Sequence, residues 1–104
     1  MKLWRVLVAV PLALIASQAL AENWVTVAND ADGVRHAVDK DSIRRGDDGL
    51  VYFEADAQSA ANCQRRVIYW LNTYDTEHWR DHGIVVEPGT ILEAELQYAC
   101  ANVK

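Results

Sequence analysis

The spacing of hydrophobic and polar positions changes along the chain, and each change marks an element. Val6 to Ala16 is continuously apolar. Trp24 to Ala28 then alternates Val25 and Val27 with Thr26 and Ala28, the period of two expected of a strand. Asn29-Asp30-Ala31-Asp32-Gly33 reads as a turn, because these residue types accept positive φ or hydrogen-bond their own backbone. Val34 to Val38 predicts a second strand, with Val34, His36 and Val38 on one side. Asp39 to Ile43 breaks the alternation and predicts a helical turn or tight loop. Gly46-Asp47-Asp48-Gly49 predicts the next turn.

Leu50 to Asp56 reads as a third strand, with Val51, Phe53 and Ala55 inward and Tyr52, Glu54 and Asp56 toward water. Ala57 to Asn62 is small and polar and predicts a connection. Cys63 to Asn72 is long enough for a central strand, with Cys63, Arg65, Val67, Tyr69 and Leu71 on one face. Its other face carries Ile68 and Trp70, so cover on both sides is expected. Thr73 to His82 predicts an irregular loop or frayed helical turn, and Ile84 to Val86 a short edge strand. Thr90-Ile91-Leu92-Glu93 fits a capping box at the head of a terminal helix. Along that helix Leu92, Leu96, Ala99, Cys100 and Val103 share one apolar stripe.

The first apolar run changes how the rest is read. It follows the basic residues Lys2 and Arg5 and leads to Ala19-Leu20-Ala21, the small-x-small pattern of a signal-peptidase site. At eleven residues it is shorter than the roughly 20 that a spanning helix needs. The chain therefore divides into a signal peptide, residues 1–21, cleaved between Ala21 and Glu22, and a single domain, residues 22–104. A periplasmic or secreted product follows, with no membrane span after cleavage. Without Lys2 and Arg5, eight basic residues face fifteen acidic ones, a net charge of −7. That balance argues against nucleic acid or anionic lipid as a partner.

A domain of 83 residues buries only about 60–65 % of its unfolded surface, so its core alone gives thin stability. Two cysteines in an oxidising compartment form a disulfide by default. A Cys63–Cys100 bridge would close a loop of 38 residues, worth about 4 kcal/mol by chain entropy. The fold class is α+β: a sheet packed by a C-terminal helix, with one sheet-to-helix disulfide.

Other chemistry for the same residues is weaker. A cysteine nucleophile needs a nearby histidine; His36, His78 and His82 are available, but none lies in a recognisable local signature. His78 and His82 form an H-x3-H pair, and with both cysteines they complete the ligand set of a structural zinc site. No C-x2-C knuckle preorganises those thiolates, so His78 and His82 are weak metal candidates and no cofactor is expected. Asp30-Ala31-Asp32-Gly33 is too short for a calcium loop. A phosphate loop and a serine elbow are both missing, so the chain does not read as an enzyme. Tyr74 and Trp79 fall in the irregular segment, where exposed aromatics make a candidate partner surface.

The run "GVRHAVDKDSIRRGDDGLVYF" resembles the corresponding block of the surface-adhesin protein E-like domains, a family of small exported bacterial proteins. The similarity continues through Asn62-Cys63 and the arginine-rich strand to Pro88-Gly89-Thr90 and the helix with Cys100. The resemblance implies an antiparallel sheet packed by a C-terminal helix, joined by the Cys63–Cys100 disulfide. It also implies a non-enzymatic binding module of the bacterial envelope, with a host-matrix or envelope protein as partner. An exposed sheet edge would allow a homodimer. The alternatives are a structural or stress-related periplasmic protein with no dedicated ligand, and a small metal-binding protein acting through His78 and His82.

Overall fold

The computed structural model describes residues 23–71 and 77–104. The expected leader, the cleavage site at Ala21 and Glu22, and Tyr74 lie outside them. Six strands follow one another: β1 (Trp24–Asn29), β2 (Arg35–Arg45), β3 (Val51–Glu54), β4 (Gln58–Asn62), β5 (Val67–Trp70) and β6 (Ile84–Val85). Each pairs antiparallel with the next, so the sheet is a simple meander with β1 and β6 at its edges. A 3-10 turn spans Trp79–Asp81, and the chain ends in helix α1 (Ile91–Ala101), which packs across β1 to β4. The class is α+β, with strand predominating. Among the described residues no helix is long and apolar enough to cross a membrane.

Alternation puts the core on one face of the sheet. Val51 and Phe53 are buried, while Tyr52 and Glu54 between them point the other way. Val38, Ile43, Ala61 and Ile68 extend that apolar face, and Leu96 and Ala99 of α1 close over it. Each large aliphatic or aromatic side chain so buried contributes about 1.5–3 kcal/mol. The expected helical stripe holds: Leu92, Cys100 and Val103 pack against the same cluster.

α1 starts where its capping signal sits. The Thr90 hydroxyl accepts the Glu93 N–H at 3.2 Å, and Glu93 Oε1 accepts the Gly89 N–H at 2.8 Å. The other Glu93 oxygen takes a 2.6 Å contact from Arg66, so the cap also ties the helix to the β4–β5 turn. The Cys63–Cys100 disulfide forms between that turn and the last turn of α1.

Three expectations from the alternation pattern are corrected. Asp39 to Ile43 is neither a helical turn nor a loop but part of β2, whose register slips between Asp39 and Arg44. Side-chain bonding produces the slip. Asp39 Oδ1 accepts from the Asn23 and Asp41 amides, and the Ser42 hydroxyl donates to the Asp39 carbonyl while accepting from the Glu54 amide. Residues 57–62 are not a mere connection, because β4 starts at Gln58. Its Ser59, Ala60 and Ala61 are buried: small side chains suit a central strand with neighbours on both edges and α1 across its face. Finally, Cys63 lies in a turn and not in a long strand, and β5 begins only at Val67. Asn62 Oδ1 caps the Arg65 amide, and Arg66 takes φ 57°, which no strand tolerates.

Candidate functional site

The β1–β2 turn builds the first part of the site. Asp30 Oδ1 accepts the amides of Asp32 and Val34, each at 2.9 Å, and Gly33 supplies the positive φ that the turn requires. Locked in this way, Asp30 aims its second oxygen at His36 Nε2, 3.2 Å away on β2. His36 Nδ1 lies 2.6 Å from Asp56 Oδ2, in the bend between β3 and β4. Both ring nitrogens thus face carboxylate oxygens, and the protonated ring satisfies both by donating. Asp56, and then Asp30, accordingly hold the His36 pKa above its ordinary value. Asp30 is held below the usual carboxylate range, chiefly by the Val34 amide and then by His36.

The third group comes from α1. Glu95 is only 3 % exposed. Its carboxyl pairs with no described side chain, and the exposure it keeps is toward the cavity, since no fully buried side-chain oxygen among the described residues lacks a partner. Burial pushes its pKa up to about 7; the nearby Asp56 charge adds to the rise and His36 opposes it. Ligand atoms of His36, Asp56 and Glu95 all lie within 4.8 Å of one another. These three side chains line a half-open cavity of about 390 Å³, walled otherwise by Ala57, Trp70, Ile91 and Leu92. A floor of ionisable groups under apolar walls can hold a ligand with an apolar body and a polar tip, or a cation.

The residues singled out from sequence go elsewhere. Trp79, expected in an exposed partner surface, is instead buried on the face of the sheet away from α1. It packs edge-on against Tyr52 and Tyr69, with centroids 6.2 and 5.6 Å away. The pleat explains this, because Tyr52 and Tyr69 alternate with the core residues Phe53 and Ile68 and need cover of their own. Arg80 stacks on Trp79 at 4.1 Å and reaches Asp48 at 3.0 Å. Asp48 also accepts the Tyr52 hydroxyl, the bond that does most to lower its pKa, to about 2. His78 and His82 flank this 3-10 turn, while the three-residue cluster of ligand-type side chains found among the described residues uses His36. Cys63 and Cys100 are spent on each other.

In the sequence, His36 reads only as a partner for a thiolate; Asp56 reads as facing water, and its side chain is indeed 62 % exposed; Glu95 draws no reading at all. A signal for Glu95 was present. It lies three residues after Leu92 and four before Ala99, and so on the apolar stripe itself, where an ionisable residue is costly unless it has a task.

The Glu95 environment predicts a pH dependence. Its folded pKa is raised, so the contribution to stability is complete below pH 4.5 and is lost as pH rises through about 7. Glu95→Gln removes that loss. In chelator-treated buffer the variant should match the wild type near the acid end of this window and exceed it at the alkaline end. After allowance for solvent screening, the gain should be on the order of 2 kcal/mol. Urea melts across the window read the difference; parallel curves for the two proteins would contradict it.

Comparisons with family models, with curated proteins and with solved structures found no match to this chain.

Proposed function

We propose that this chain is an exported, non-enzymatic binding module of a bacterial envelope, and that its ligand enters the cavity between the sheet and α1. The observation that carries this reading is the cavity itself. Its volume of about 390 Å³ falls within the few hundred Å³ typical of ligand sites. Four apolar residues form its walls, and three ionisable side chains converge on its floor. The resemblance to surface-adhesin protein E-like domains supports a protein as the natural ligand, contributing an apolar side chain beside a polar one. The disulfide and the apolar leader are consistent with export.

The test is amide chemical-shift mapping with short peptides, each pairing an aliphatic or aromatic residue with Lys, Glu or His. Binding should shift the Trp70, Ile91 and Leu92 amides. It should weaken by at least about tenfold in Ala57→Phe, which fills the cavity from a position outside the regular strands. Shifts confined to other surfaces, or equal binding by the filled variant, would contradict the reading.

A further inference from the structure

We propose that His36, Asp56 and Glu95 form a binding site for one divalent transition-metal ion of the zinc class, with Asp30 orienting the histidine and one coordination position open to the cavity. This rests on the reading of the cavity as a binding site and names what its floor holds. Two independent observations carry it. The first is convergence: side chains from β2, the β3–β4 bend and α1, distant in sequence, bring ligand atoms within 4.8 Å of one another. The second is Glu95 itself: only 3 % of the residue is exposed, and it lines the cavity. Since no fully buried side-chain oxygen among the described residues lacks a partner, its unpaired carboxyl oxygens open into that cavity. A helix that needed only to cover the sheet would carry an aliphatic residue there.

The outer contacts match those of a metal-bound histidine. Such a ligand typically donates its other ring N–H to a carboxylate, which fixes the tautomer. Asp30 stands in that place, its Oδ2 3.2 Å from Nε2 and its Oδ1 committed to the turn. Nδ1 is thereby turned toward Asp56, where the ion would replace the shared proton.

Tetrahedral zinc with bonds of about 2.0–2.2 Å needs ligand atoms roughly 3.3 Å apart. The 2.6 Å His36–Asp56 pair must open slightly, and the widest separation must contract from as much as 4.8 Å. Asp56 can supply much of that movement, since its side chain is 62 % exposed and sits in a bend. One imidazole with two carboxylates favours zinc-class ions over calcium and magnesium, which prefer all-oxygen sets. Three protein ligands leave the fourth position for water or for a donor group on the cavity's ligand.

Isothermal titration of the chelator-treated protein with Zn²⁺, and absorption spectroscopy with Co²⁺ as probe, test this. One ion per chain is expected. Affinity should fall by roughly 100-fold in His36→Ala and Glu95→Gln, and by about tenfold in Asp30→Asn, which keeps all three ligands. His78→Ala with His82→Ala should change nothing. The His36 ring-nitrogen NMR signals of the wild type, followed during Zn²⁺ addition, read the site directly even where a variant folds poorly; they should move at one equivalent. Unmoved His36 signals would overturn the proposal, as would binding lost only with His78 and His82. Peptide binding in the cavity with no metal binding would remove the ion and leave the binding-module reading standing. Metal binding with no peptide response would do the reverse.

Discussion

A Cys63→Ser, Cys100→Ser variant should melt roughly 15–30 °C below the wild type, or stay unfolded at physiological temperature. The bridge spans 37 positions of sequence and joins the β4–β5 turn to the last turn of α1. Closing such a loop removes about 4 kcal/mol of unfolded-state freedom. In a domain of this size each kcal/mol moves the melting temperature by about 4–8 °C. The total available is itself only about 4–12 kcal/mol at the usual stability per residue, so the bridge amounts to a large share of it. Thermal melts followed by circular dichroism, with the wild type in reductant as a second arm, give the result. A variant melting within a few degrees of the wild type would show that packing alone holds α1.

Leu96→Ala should cost about 2–5 kcal/mol, the range for deleting a buried leucine side chain in a core that cannot collapse around the gap. Leu96 is 2 % exposed and belongs to the same core cluster as Val38, Phe53 and Ile68. Gln97, one position along, is exposed, and Gln97→Ala should stay within about 0.5 kcal/mol. The contrast between neighbours matters more than either value. Similar losses at both positions would mean that helix propensity and not docking is being measured. A large loss at Leu96 alone places the helix face as described, and with it Glu95, one residue away on the buried side.

Local chemistry with a short reach was legible in the sequence. The Thr90–Glu93 cap, the Asp30–Gly33 turn, the alternation of β3 and the apolar stripe of α1 all depend on residues within a few positions of one another. What escaped depends on contacts across the sheet. Ala60 and Ala61 look like a connection because nothing in their own window shows that β3 and β5 flank them. The slip in β2 depends on Ser42 bonding to Glu54, twelve residues away. Trp79 sat in an irregular segment, and only the register that brings Tyr52 and Tyr69 beneath it shows why it is buried. The cavity floor was the least legible part, because His36, Asp56 and Glu95 are about 20 and 40 residues apart and meet only when α1 docks.

That meeting is the central claim, and the carboxyl of Glu95 reports on it directly. Carbon-13 NMR of the metal-free protein, labelled at glutamate side chains and assigned with Glu95→Gln, follows its titration. A carboxyl buried by α1 against Asp56 and His36 should titrate with a midpoint near 7. A midpoint near the ordinary value of 4.5 would place Glu95 in water and contradict the site as described.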